Sequence, residues 1–138
     1  MADLDAIVAM GQRFRQSTGY QALIPENLPQ MRHLAAALID RPGGVVLVAD
    51  RAGTLCGLLG LLVYPHYLSG EMVGGELFWW VNPEARGIGL RLLRHAEMFA
   101  RAHGAAAIQM IAPTPEVEAL YTRLGYQPVE RLYQRRLA

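Results

Sequence analysis

One cysteine, Cys56, stands in 138 residues, so no intrachain disulfide can form and no thiolate metal cluster can be built. It lies in Leu55-Cys56-Gly57-Leu58, an apolar run that reads as a buried strand, where a free thiol acts as a small hydrophobe. Charge of one sign is equally scarce. Thirteen Lys and Arg against 12 Asp and Glu leave a formal net charge of +1, which gives no reason to expect nucleic acid as a partner. The longest apolar run, Leu55 to Tyr64, is too short to cross a bilayer. Met1-Ala2-Asp3-Leu4-Asp5 lacks the basic flank and apolar stretch of a signal peptide, so a cytoplasmic protein without a membrane partner is expected. No His, Asp and Glu cluster has metal-ligand spacing, so no metal is expected, and no Gly-x-Ser-x-Gly nucleophile turn occurs.

Hydrophobic residues, at 52%, supply a core for one domain over residues 1–138, and its apolar patterning changes along the chain. Asp3 to Phe14 places Leu4, Ile7, Val8 and Met10 at helical spacing, with Asp3 or Asp5 as the cap. Residues 15–25 read as a loop. A second helix is expected from about Leu28 to Asp40, with Pro29 in its first turn and Arg41-Pro42-Gly43-Gly44 as its stop. Val45 to Ala49 and Thr54 to Tyr64 read as strands joined by the turn Asp50-Arg51-Ala52-Gly53, with Gly57 and Gly60 marking a bulge or a close approach. Pro65 to Gly75 reads as a loop and Leu77 to Val81 as a central strand, apolar on both faces. After Pro83, Leu92, Leu93, Ala96, Phe99 and Ala100 form a helical stripe that Gly104 ends. A strand over Ala105 to Ile111, a helix over Pro115 to Leu124 and a last strand over Gln127 to Leu137 complete the order. The fold class is α/β (α+β): a single mixed, mostly antiparallel sheet flanked by helices.

The stretch Val81-Asn82-Pro83-Glu84-Ala85-Arg86-Gly87-Ile88-Gly89-Leu90-Arg91 carries the most chemistry. It joins an apolar strand to an amphipathic helix through two glycines, so backbone N–H groups of Gly87, Ile88, Gly89 and Leu90 can approach an anion at the positive end of the helix. Arg86 and Arg91 are the nearest charges to support it. The plainer alternative is a tight turn that binds nothing, since the stretch is neither a P-loop nor a complete dinucleotide fingerprint.

This turn resembles the acetyl-CoA-binding motif of the GCN5-related N-acetyltransferase family, in which a strand ending in Val-x-Pro leads into Arg/Gln-x-x-Gly-x-Gly/Ala. Here the turn is about two residues short of that pattern, and the helix-side register puts Gly87 and Gly89 on the two glycines. Ala119-Leu120-Tyr121-Thr122-Arg123-Leu124-Gly125-Tyr126 is similar to the same family's terminal Leu-Tyr-x-x-Leu-Gly-Phe/Tyr segment. The likeness covers roughly residues 28–136. It departs at the start, where only Met1 and Ala2 precede the first helix although the family opens with a strand; the edge left open would favour a homodimer.

The resemblance implies transfer of acetyl from acetyl-CoA to a small-molecule or peptide amine by direct attack. A non-catalytic acyl-CoA-binding module is the alternative. It further implies that the backbone of Trp79 and Val81 pairs with the coenzyme arm, and that Tyr121, a phenol protonated at neutral pH, protonates the departing thiolate. Glu76, just before the central strand, is the best general-base candidate, with Glu71 and His66 weaker ones. The adjacent Trp79 and Trp80 place one indole on each face of the sheet.

Overall fold

The computed structural model describes residues 3–85 and 87–137. The first helix, α1, runs Leu4–Ser17 and buries Leu4, Ile7 and Met10 at the expected spacing. Asp3 stands at its N-cap, as expected, but its side chain makes no capping bond, and Asp5 pairs with Arg32 across the surface. Both partners are exposed, so that pair contributes little stability. A single turn, α2 (Tyr20–Leu23), occupies what reads as loop in the sequence, held by Arg15, whose guanidinium donates to the Gln21 and Ile24 carbonyls. The next helix, α3 (Leu28–Asp40), is capped by Asn27, whose side chain accepts the Gln30 N–H at 3.0 Å.

Three long strands follow: β1 (Gly44–Arg51), β2 (Thr54–Pro65) and β3 (Met72–Val81). Each pairs antiparallel with the next. The β1–β2 turn puts both Ala52 (φ 53°) and Gly53 (φ 83°) in the left-handed region, and Asp50 accepts the Gly53 N–H at 2.8 Å. Of the residues expected as loop, Pro65 extends β2 and Met72 to Gly75 extend β3, leaving 66–71 as the turn, so Glu76 lies inside β3 and not ahead of it. Helix α4 (Ile88–Ala102), the short strand β4 (Ala107–Gln109) and helix α5 (Pro115–Arg123) complete the elements. Strand order is β1-β2-β3-β4, with β3 and β4 parallel, which is the mixed, mostly antiparallel sheet expected from the sequence. No strand precedes α1 among the described residues.

Helices cover both faces. Leu59, Leu61 and Val63 of β2 pack with Leu92, Ala96 and Ala100 of α4; Leu58 packs on the other face with Leu4, Ile7 and Met10 of α1 and Ala35 of α3. This is the period-two alternation of a strand buried on both sides.

The sequence reading fails at the C-terminus. Residues 127–137 form no strand, and all of them are exposed. Their alternating composition suits a strand, but a strand also requires a ladder, and β4 offers only three residues.

Candidate active site

A bulge sets the site. Gly60 pairs with Phe78 but Leu61 pairs with Glu76, leaving Leu77 as an extra residue in β3. A Cβ at position 60 would overlap the Phe78 ring and force it to move, so the glycine lets that ring lie across β2. The β3–β4 ladder covers only Val73↔Ala107, Gly74↔Ile108 and Gly75↔Gln109. From Glu76 to Val81, β3 therefore keeps β2 on one edge and has no strand on the other among the described residues. The two parallel strands part where the bulge bends one of them.

Glu76 and Tyr121 stand at the point of separation. Each is 7% exposed. The Ile111 N–H donates to Glu76 Oε1 at 3.2 Å, and the Tyr121 hydroxyl donates to the Ile111 carbonyl at 3.0 Å. Burial raises the Glu76 pKa from 4.5 to about 7, and the Ile111 N–H, which favours the carboxylate, offsets only part of that. Tyr121 is pushed above its ordinary value by burial first, then by the Glu76 carboxylate and by Tyr126. It keeps its proton across the neutral range.

Trp79 and Trp80 do lie on opposite faces. Trp79 joins the α4 side and stacks on Tyr121, ring centroids 6.1 Å apart, while Trp80 joins the α1 side. Their indole nitrogens differ as well. Trp80 Nε1 donates to Asn82 Oδ1 at 3.0 Å, and Arg13 donates to the same oxygen at 3.0 Å. Trp79 Nε1 is buried with no partner among the described residues.

The turn into α4 carries further candidates. Gly87 is its N-cap in the left-handed conformation (φ 82°), with open space where a Cβ would sit, and no side chain caps the helix among the described residues. Gly89 faces inward: a Cβ there would lie 3.4 Å from Trp79 and 3.5 Å from Val81, so this glycine sets helix-on-sheet packing. Ile88 and Leu90 are half-buried and Arg91 is exposed. Arg86 lies outside the described residues.

Two weaker candidates fall elsewhere. His66 sits in the β2–β3 turn, where its Nδ1 accepts the Leu68 N–H at 3.2 Å, and Glu71 is exposed in the same turn. Both belong to the closed end of the β2–β3 hairpin, before the ladder to β4 begins.

Several supporting residues carry no signal in the sequence. Asn82 is 9% exposed, and its N–H donates to the Cys56 carbonyl at 2.8 Å, at the bulge where Cys56 is the extra residue between β1 and β2. Gly125 (φ 89°) ends α5, turning the Tyr126 N–H back to the Tyr121 carbonyl at 2.9 Å. Tyr126 thereby packs against Tyr121, and its hydroxyl donates to Glu97 of α4 at 2.9 Å. The Leu-Gly-Tyr part of the terminal motif is thus a helix stop that buttresses the site tyrosine. On the α1 side of β3, Arg13, Gln16, Ser17, Trp80 and Pro83 line a depression of about 330 Å³. A larger one, about 390 Å³, lies between α1 and α3, away from these residues. Among the described residues no group of three or more His, Cys, Asp or Glu could hold a metal ion, and no helix is long and apolar enough to cross a membrane.

Comparison with known proteins agrees with this fold. The aminoglycoside N-acetyltransferase AAC(6')-Iy in complex with CoA superposes with a TM-score of 0.77 at 13% identity, covering 99% of this chain and 89% of that one. An acetyltransferase from Trypanosoma brucei gives 0.72 at 21% identity, covering 99% and 94%. A GCN5-related N-acetyltransferase from Ralstonia eutropha JMP134 gives 0.75 at 25% identity, covering 97% and 92%. No curated protein matches the sequence at a significant level. The model of the Acetyltransferase (GNAT) family matches residues 12–126, from within α1 to the tyrosine after α5. The splayed sheet, the glycine turn and the Leu-Tyr helix all fall inside that match, and the chain belongs to the Acetyltransferase (GNAT) family.

Proposed function

We propose that this protein transfers an acetyl group from acetyl-CoA to the nitrogen of an amine acceptor. The observation that carries the reading is the edge of β3 beyond Gly75, free among the described residues, lying beside a start of α4 that no described side chain caps, in a chain of this family. The residues present fit the coenzyme: a buried Trp79 indole N–H without a partner among the described residues and open space at Gly87 are what an acceptor-rich ligand would use. The backbone of Trp79 and Val81 would hold the arm. Gly87 to Arg91 would face the pyrophosphate, with the exposed Arg91 guanidinium supporting its charge. When bound, acetyl-CoA supplies the reactive thioester.

The remaining chemistry belongs to the chain. Glu76, poised near pH 7 by burial, accepts a proton from the acceptor amine, directly or through water. Tyr121 stays a phenol and is the proton donor on the α5 side of the cleft. Transfer by direct attack, without an acylated side chain, fits a chain whose one thiol, Cys56, is buried in β2. The amine enters from the α1 side, by the depression that Arg13 and Trp80 line.

Thiol release from acetyl-CoA, measured against a panel of small amines and peptides, tests the reading. Turnover with at least one amine is expected. Coenzyme binding without turnover would instead support an acyl-CoA-binding module, and the absence of both would refute the site. The chain contains no lysine, so acetylation of its own side-chain amines does not confound the assay.

A further inference from the structure

The depression on the α1 side of β3 is lined by Arg13, Gln16, Ser17, Trp80 and Pro83, a set with a cation and no carboxylate. Arg13 and Trp80 are held together: the guanidinium, through Nη1, and the indole each donate to Asn82 Oδ1 at 3.0 Å, and Asn82 is itself buried. That bond leaves one edge of the guanidinium open. Nε and Nη2, a fork that matches a carboxylate, have no partner among the described residues, and Arg13 joins no ion pair there. Nearby arginines are engaged: Arg15 donates to the Gln21 and Ile24 carbonyls, and Arg32 pairs with Asp5. Glu84, next to Pro83, is exposed and outside the lining. The last carbonyls of α1 would repel an anion, but the Ser17 and Thr18 hydroxyls donate to those of Phe14 and Arg15 at 2.8 and 3.1 Å. A full guanidinium charge outweighs what remains of the helix end.

We infer that the acceptor amine carries a carboxylate, which the Nε–Nη2 edge of Arg13 grips in this depression while the Trp80 indole flanks the chain leading to it. The inference rests on the acetyl-transfer reading and names the substrate class of that site. A polycationic amine has the opposite requirement. It needs carboxylates around it, and this lining offers a fixed positive charge instead. Distance narrows the class further. Trp80 lies beyond Glu76 on β3 by roughly 13 Å at the rise of a strand. An amine at Glu76 and a carboxylate at Arg13 therefore belong to the two ends of an extended chain, as in a tripeptide or an ω-amino acid, and not to one α-carbon.

Matched acceptors test this: triglycine against triglycinamide, 6-aminohexanoate against 6-aminohexanamide, and spermidine as the polycation. The parent is expected to favour the acid over its amide by at least about tenfold in kcat/KM, and to turn over spermidine least well. Arg13→Gln should erase the preference through KM, with kcat and CoA affinity within about twofold of the parent. Gln16→Glu changes an exposed residue and sets a carboxylate in the same depression, so it should shift the preference away from the acids and toward spermidine. A parent that prefers the amides or spermidine, or a preference for the acids that survives both substitutions, would overturn the inference and leave acetyl transfer standing. So would turnover confined to amines outside these five. Weakened CoA binding in Arg13→Gln would place Arg13 on the coenzyme and overturn it as well. Only a protein that acetylates no amine at all takes the acetyl-transfer reading down with it.

Discussion

Glu76 and Tyr121 hold opposite ends of one residue: the carboxylate takes the Ile111 N–H at 3.2 Å and the phenol donates to the Ile111 carbonyl at 3.0 Å. Ile111 follows β4 just where that strand leaves β3, so the same contacts that brace the splay keep both ionisable groups at its base. Burial separates their titrations, with a carboxylate that titrates near neutrality beside a phenol that does not.

Turnover should rise with pH through about 7, as Glu76 loses its proton. Glu76→Gln keeps an acceptor for the Ile111 N–H but cannot take a proton. It should lower kcat by about 100-fold and flatten that rising limb. A pH–rate profile of both proteins checks this. An unchanged limb in the variant assigns the titration to another group, such as the amine itself.

The same pKa makes a statement about stability. The folded protein binds the Glu76 proton more tightly than the unfolded chain does, so this group's contribution is full below about 4.5 and is lost as pH rises through about 7. The loss is roughly 3 kcal/mol at most. Urea unfolding at pH 5 and pH 8 should show Glu76→Gln reducing that dependence and gaining on the parent at the higher pH. Parallel curves for the two proteins would contradict it.

Tyr121→Phe should reduce turnover by about 10- to 100-fold with coenzyme affinity within about twofold, since a proton donor acts in the transition state and not in binding. Freeing the Ile111 carbonyl costs about 1–2 kcal/mol, a loss that leaves the protein folded. Stopped-flow turnover and calorimetry on one preparation separate the two effects, and equal rates would remove Tyr121 as the acid.

Arg91→Glu should weaken coenzyme binding by about tenfold without altering the fold, because its side chain is exposed in the first turn of α4. It is a cleaner test than a charge at position 89, where the side chain would press on Trp79 and Val81. Calorimetric titration with CoA gives the answer, and unchanged affinity would put the phosphates elsewhere.

Asn82→Ala should cost about 1–3 kcal/mol, since it strips the shared acceptor from Arg13 and Trp80. Thermal unfolding measures it, and a shift indistinguishable from zero would make Asn82 dispensable.

Much of this was legible in the sequence. Helical and strand periods placed α1, α3, α4 and α5, and the glycines at 57 and 60 marked where β2 bulges or is closely approached. Tyr121 and Glu76 could be singled out, but their shared hold on Ile111 could not, because a backbone partner carries no residue signature. Asn82 was hidden for a similar reason: its role depends on Arg13, brought alongside only when α1 docks on β3. The C-terminal segment misled because alternation reports which faces suit burial and says nothing of whether an edge is available.

The central claim is that the free edge of β3 and the start of α4 receive acetyl-CoA. Amide hydrogen exchange, followed with and without CoA, tests it most directly. Slowed exchange confined to residues 76–81 and 87–91 is the predicted result, whereas protection absent there, or found only between α1 and α3, would contradict the account.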